Sequence, residues 1–192
     1  MPRLFTGIQI PDETRRFLSM LRGGLAGARW ADPQNYHMTL RFIGDVDMRT
    51  ANEVVHQLSA ISRFGFDLRM SGVGVFGGNK PHTIWAGVAP SPALMELQAE
   101  QERLLQRMGL RAEGRKFQPH VTIARLRHVA VHDVARYLDL YGDFRAPEFS
   151  VESFALFSAR EFEGGGPYIA EETFPLAGFE YAHESDYGWQ TN

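Results

Sequence analysis

The sequence predicts an α+β fold: two similar lobes from an internal duplication, each a mainly antiparallel sheet with helices outside, around a central cleft. Three observations carry this expectation. Strand-like and helix-like stretches mix without the regular βαβ alternation of a parallel sheet. Their order repeats: strand, helix, turn-rich loop, strand and helix run from Leu4 to Ile61 and again from Thr83 to Leu140. A four-residue pattern, histidine–apolar–threonine–apolar, stands at the same place in both copies, as His37-Met38-Thr39-Leu40 and His120-Val121-Thr122-Ile123. The histidines are 83 residues apart, and the opening strands, beginning at Leu4 and Thr83, are 79 apart. One bilobal domain over 1–178 follows, with halves near 4–80 and 83–176 and a loosely ordered tail over 179–192.

Each element has a local reason. Leu4 to Ile10 is short, apolar and stopped by Pro11, as a buried strand is. Asp12 is the expected N-cap of a helix whose stripe is Phe17, Leu18 and Leu21, ended by Gly23-Gly24. The turn-rich Trp30 to Tyr36 leads into a strand over Tyr36 to Ile43. Val54, Val55 and Leu58 mark a helix from Arg49 to Ile61. Phe66 to Phe76 alternates as one strand, and Thr83 to Ala89 is another. Ser91 caps a helix with Pro92 at its first position, running to about Met108 with Leu94, Leu97, Leu104 and Leu105 facing inward. The basic connection Arg111 to Gln118 precedes the second motif strand. A helix over Val131 to Leu140 follows. The strands Phe149 to Ser158 and Tyr168 to Leu176 then form a hairpin around the glycines at 164–166.

Composition excludes several classes of function. With 192 residues, 44% hydrophobic and 22% charged, the chain can build a substantial core. A net charge of −3 argues against a broad basic nucleic-acid surface, though not against a local phosphate pocket. The absence of cysteine removes disulfides, thiol nucleophiles and thiolate zinc sites. No stretch reads as an export signal or membrane span. The expectation is a soluble, cytoplasmic monomer without a membrane partner.

The doubled motif is the chemical signal. Alternation on a strand places His37 with Thr39, and His120 with Thr122, each pair backed by two apolar residues. About 0.3 His-x-Thr triplets are expected by chance in this composition, so two at matched positions stand out. A single such histidine would read as a satisfied core residue. Two histidines on opposite sides of a substrate can act as base and acid in one displacement. Threonine hydroxyls beside them can donate to phosphoryl oxygens, which needs positioning and charge stabilisation but no metal or other cofactor.

The chain thereby resembles the two-histidine phosphoesterases. HMTLRFIGDV from His37, FQPHVTIAR from Phe117, TIWAGV from Thr83, PQNY from Pro33 and the final hairpin with Tyr168 and FPL at Phe174 resemble one branch in particular. That branch is the RNA 2′,3′-cyclic phosphodiesterases, historically called 2′–5′ RNA ligases. The resemblance implies hydrolysis of a 2′,3′-cyclic phosphate at an RNA end, or on a small cyclic nucleotide, to a 2′-phosphomonoester. It implies His120 as general base, His37 as general acid, Thr39 and Thr122 on the phosphoryl oxygens, and Arg125 near the phosphate. Two other readings stay open: a non-catalytic RNA- or nucleotide-binding protein, and a relative acting on 2′,5′-linked oligonucleotides or small cyclic phosphates.

Other residues carry two readings each. Strict alternation puts Arg125 on the wrong face unless the strand bends after Ile123. Arg41 shares parity with His37, so it lines the cleft or forms a rim ion pair. Phe42 and Phe76 could stack on a base, but the parity of Phe42 matches Met38 and Leu40 and favours the core. Lys80 and His82 touch RNA phosphates or belong to a solvated loop. His128 and His132 are four apart, yet no third ligand accompanies them and no metal site is expected. His56 and His183 have no motif context. Gly72-x-Gly74 reads as strand irregularity.

Overall fold

A computed structural model describes residues 3–159 and 167–178. The expected glycine turn at 164–166 and the tail over 179–192 lie outside the described residues. The elements run β1 (Arg3–Gln9), α1 (Asp12–Ser19), β2 (Ala28–Trp30), a 3-10 turn (Pro33–Asn35), β3 (His37–Asp45), α2 (Met48–Ser59), β4 (Phe66–Leu68) and β5 (Met70–Phe76). They continue β6 (Thr83–Val88), α3 (Pro92–Arg107), β7 (His120–Leu126), α4 (Val131–Tyr141), β8 (Phe149–Val151), β9 (Ser153–Ala159) and β10 (Tyr168–Pro175).

The class is α+β. One sheet runs β10-β9-β1-β3-β7-β6-β5, all of it antiparallel, with β2 on β7 and a separate β4-β8 ribbon. The strands form two groups that meet where β3 crosses β7, through the single pair Met38–Val121. Each group takes an outer strand from the other half of the chain. β5, which follows the first motif, lies on β6, and β9, which follows the second, lies on β1. The expected β9–β10 hairpin is present, with Tyr168 opposite Ala159.

Several expected elements differ in detail. Phe66 to Phe76 divides at Arg69, and Phe149 to Ser158 divides at Glu152, because the first piece of each pairs with the other while the second joins the main sheet. β2 has only three residues and no periodicity to reveal it. Pro11, not Asp12, holds the N-cap position of α1, and no side chain caps it. Asp12 is instead the first helical residue, where its charge still suits the positive end of the helix. Ser91 does cap α3, accepting from the Leu94 amide at 3.2 Å.

Both motif strands carry a β-bulge at the same motif position. Opposite β1, the register passes from Arg41–Thr6 to Thr39–Gly7 and skips Leu40. Opposite β6, it passes from Ala124–Ile84 to Thr122–Trp85 and skips Ile123. Each bulge places two consecutive residues, Leu40-Arg41 and Ile123-Ala124, on the buried face. These registers also align Gly7 with Trp85, one residue out of step with the alignment of Leu4 on Thr83 expected from the sequence.

The main core lies on one face of the sheet. Leu18, Val54, Leu58, Leu94, Leu97, Leu105 and Val134 of the helices meet Leu4, Ile8, Met38, Leu40, Val121 and Ile123 of the strands. The stripe of α3 includes Gln101, which is fully buried and accepts a 2.6 Å hydrogen bond from the Thr6 hydroxyl. Arg41 takes the ion-pair reading rather than the cleft one, with the pair buried instead of at the rim: the bulge turns it away from the cleft, to 5% exposure. There it pairs with Glu102 of α3 and donates to the carbonyls of Phe42 and Arg111. Breaking a buried pair by removing one partner strands the other charge. Arg41→Ala is therefore expected to lower stability by about 3 kcal/mol in urea unfolding. Arg41→Met with Glu102→Leu should recover most of that loss.

Candidate active site

The register at Met38–Val121 decides which side chains share the cleft. Carried one residue either way, it sets His37 opposite Thr122 and Thr39 opposite His120. All four therefore project from the face opposite the buried Met38 and Val121. The two motifs do converge, at the seam between the strand groups.

Each imidazole is held by the same device. His37 Nδ1 lies 2.8 Å from the Asn35 carbonyl, and His120 Nδ1 lies 2.7 Å from the Gln118 carbonyl. A carbonyl only accepts, so both Nδ1 atoms carry the hydrogen. In the neutral rings Nε2 is then the unprotonated nitrogen, free to take a proton from a ligand. Once protonated, the same atom can return it.

Aromatic walls enclose the rings. His37 lies 4.9 Å from Phe5, 5.8 Å from Phe157 and 4.7 Å edge-to-face from Tyr168, between ring centroids. His120 meets Phe76 at 4.9 Å and Trp85 at 6.1 Å. Gly74 permits the second wall, since a Cβ there would stand 2.2 Å from the indole of Trp85. Burial in these walls disfavours the charged imidazolium. It pushes His37 down to about 4, with the positive neighbours His120 and Arg125 adding to the effect and the Asn35 carbonyl opposing it. His120 is also lowered, chiefly by burial and further by Arg125, against the opposing pull of the Gln118 carbonyl. Burial raises the Tyr168 phenol, and Arg125 partly offsets it.

Arg125 reaches the cleft because the bulge at Ile123 supplies the bend that strict alternation lacks. Its Nη1 donates to Thr83 Oγ1 at 2.8 Å, and Thr83 Oγ1 stands 2.9 Å from His82 Nδ1. Thr83 Oγ1 accepts from Arg125, and its contact with His82 Nδ1 makes His82 part of the support for the guanidinium. Phe42 is the matching residue of the first motif, and it is a correction. The bulge at Leu40 brings it onto the cleft face, 53% exposed and 5.9 Å from Phe5 between ring centroids, rather than into the core. One motif thus ends in a guanidinium and the other in a phenyl ring.

The remaining candidates stand apart from this cluster or serve it indirectly. Phe76 packs edge-on against His120. Lys80 is exposed in its loop. His132 faces Asp133 at 3.4 Å. Among the described residues, no three His, Asp or Glu side chains are grouped to hold a metal. Sequence reasoning missed Phe5, Phe157, Tyr168, Trp85 and Thr83 as site neighbours, and the carbonyls of Asn35 and Gln118. The last two had a signal, since both stand two residues before a motif histidine. A cavity of about 460 Å³ opens beside His37, lined among others by Gln9, Gln34, Asn35, Ser153 and Tyr168.

Comparisons with known proteins identify the family and the fold. Residues 10–161 match the family model of the 2′-5′ RNA ligase superfamily. The RNA 2′,3′-cyclic phosphodiesterase of Aquifex aeolicus is 35% identical over 155 residues, covering 78% of this chain and 82% of that protein. The protein of the same name from Thermotoga maritima is 30% identical over 82% of this chain and 86% of its own. Among solved structures, E. coli LigT complexed with 3′-AMP superposes with a TM-score of 0.75 at 24% identity, over 92% of this chain and 99% of that one. A protein of Thermus thermophilus, TT0787, gives 0.76 at 22% identity, over 92% and 98%. At these identities the two structures speak to the fold.

The lowered histidine has a measurable sign. Unfolding returns His37 to the ordinary value near 6.5, so the unfolded chain binds more protons between about 4 and 6.5. Stability should therefore fall as pH drops through that window, by roughly 2 to 3 kcal/mol at pH 4.5 from this group alone. An NMR titration of the His37 ring should show a midpoint near 4. A midpoint at 6.5 would contradict the enclosure described.

Proposed function

The chain belongs to the 2′-5′ RNA ligase superfamily, and from that premise we propose that it hydrolyses a 2′,3′-cyclic phosphate at an RNA end to a 2′-phosphomonoester. The observation that carries the reading is the pair of imidazoles on one face, both locked through Nδ1 and both offering Nε2. His120 Nε2 takes a proton from water as the water oxygen bonds to phosphorus. The bond from phosphorus to O3′ breaks in line, and His37 Nε2 gives its proton to the departing oxygen. Thr39, Thr122 and Arg125 hold the non-bridging oxygens, where negative charge builds. The cavity beside His37 is large enough for the terminal nucleoside. All these groups come from one chain, so one copy is the working unit, and RNA ends as substrate suit the cytoplasmic setting expected above. No helix of the described residues is long and apolar enough to cross a membrane.

The electrostatics add a constraint to the division of labour. His37 is lowered to about 4, so in the ligand-free site a single proton favours His120. A bound phosphate offsets the positive field of Arg125 and stabilises the imidazolium that the acid step needs. The reverse assignment, His37 as base and His120 as acid, is the second reading that this same burial favours. A nucleoside 4-nitrophenyl phosphodiester separates the two, because its leaving group needs no proton. The His37→Ala variant should keep activity on it while His120→Ala loses it; the opposite pattern reverses the roles.

Turnover of an oligonucleotide 2′,3′-cyclic phosphate should persist in EDTA and give a 2′-phosphate. His37→Ala and His120→Ala should each lower kcat by about 10²- to 10⁴-fold with the fold intact by circular dichroism. Zinc-dependent activity, or a 3′-phosphate product, would sink the mechanism. One histidine must be charged and the other neutral, so kcat/KM should peak where the free site holds one proton. Both histidines are lowered, which puts that peak below pH 6.5. An optimum at pH 8 would contradict it.

A further inference from the structure

The cleft face carries a second guanidinium that the reaction above does not use. β2 pairs with β7 so that Arg29 stands directly opposite Arg125. The next pair, Trp30 with Ala124, identifies the faces. Ala124 is buried, and the Trp30 ring packs 5.9 Å from Tyr137 of α4, on the helix-covered side. Arg29 therefore projects on the same side as Arg125 and is exposed.

The strand that presents it is pinned at both ends. The Arg127 amide donates to the Gly27 carbonyl at 3.2 Å, and the Ala31 amide to the Ile123 carbonyl at 2.9 Å. Gly27 has φ +84°, and a Cβ there would stand 2.8 Å from the Arg127 carbonyl oxygen, so the turn into β2 admits only glycine. Three residues with little to bury are thus fixed in one register, with Arg29 beside Arg125.

Like charges directly opposite on adjacent strands repel. Among the described residues, neither guanidinium has a carboxylate partner; Arg125 has only Thr83. The chain as a whole is acidic, so the pair is a local feature rather than general basicity. Two long side chains rooted about 5 Å apart can grip two neighbouring phosphates of one strand. Arg29 also lies on the side of β7 that carries His37, three β7 positions beyond it in register. In the reading above, His37 is the side of the departing O3′ and hence of the terminal ribose.

We propose that Arg29 binds the phosphate on the 5′ side of the terminal nucleotide, so that the site selects RNA ends and 5′-phosphorylated nucleotides over 5′-hydroxyl mononucleotides. The inference rests on the cyclic phosphate lying between His37 and His120.

The test compares adenosine 2′,3′-cyclic phosphate with its 5′-phosphorylated counterpart. The unaltered protein should favour the second by about tenfold in kcat/KM, as expected for one charge-assisted phosphate contact. Arg29→Gln should bring that ratio close to one, through KM, and reduce the salt dependence for the phosphorylated substrate by about one phosphate. Arg125→Gln should instead lower both substrates. Equal losses on both with Arg29→Gln, or no preference in the unaltered protein, would overturn the proposal. Failure to turn over either of these and an oligonucleotide 2′,3′-cyclic phosphate as well would overturn the hydrolase reading instead. Calorimetric binding of 3′-AMP and adenosine 3′,5′-bisphosphate then decides the Arg29 site. A preference for the bisphosphate that Arg29→Gln removes supports it, and no preference overturns it.

Discussion

The cleft depends on two β-bulges, at Leu40 and Ile123, the fourth residues of the two motifs. Without them, alternation would continue along each strand, and Arg125 would point into the helix-packed core while Phe42 did the same. A bulge adds one residue to one strand and so exchanges the faces of everything beyond it. Here the added residue is a large apolar one, buried to 3% at Leu40 and to nothing at Ile123. Its burial anchors the irregularity. The same apolar pressure that makes the core therefore delivers the third cleft residue of each motif.

What the bulge sends inward must also be accommodated. On β7 that residue is Ala124, which fits without further provision. On β3 it is Arg41, a charge on the core side. The protein meets it with Glu102 of α3 and with the carbonyls of Phe42 and Arg111. α3 lies in sequence between β6 and β7, yet its acidic residue serves β3. The carbonyl of Arg111 opens the connection that leads to Gln118, the residue that locks His120. The ion pair thus ties the first motif to the approach of the second.

The sequence carried the centre of the site and lost its margins. Parity over three residues placed His37 with Thr39 and His120 with Thr122, because alternation needs no tertiary information over so short a span. It failed for Arg41 and Phe42, one and two residues past the bulge, since the extra residue is fixed by pairing with β1. For Arg125 the required bend was readable as a condition, and its cause was not. Phe157 and Tyr168 come from strands more than a hundred residues from His37, and Phe5 read only as part of a buried strand. Nothing local marks which aromatic will lean over which histidine. The divisions at Arg69 and Glu152 were hidden for the same reason: each short strand exists because the other pairs with it.

The two histidines are held alike and surrounded differently, and this difference gives the site its direction. Both Nδ1 atoms face a carbonyl two residues back, so neither tautomer nor ring orientation distinguishes them. The walls do. His37 meets three aromatic rings and is the more depressed, while His120 meets two. Arg125 lies on β7 and has no charged counterpart at Phe42. In the empty cleft its guanidinium makes protonation of either histidine harder. An anion bound against Arg125 reverses that influence, replacing a repelling charge by an attracting one beside the imidazoles. On the proposed mechanism the phosphate is then the group that readies the acid for its own cleavage. A neutral molecule of the same shape would leave the pair uncharged, so on that mechanism selection for phosphate and activation of the acid come from the same electrostatic event.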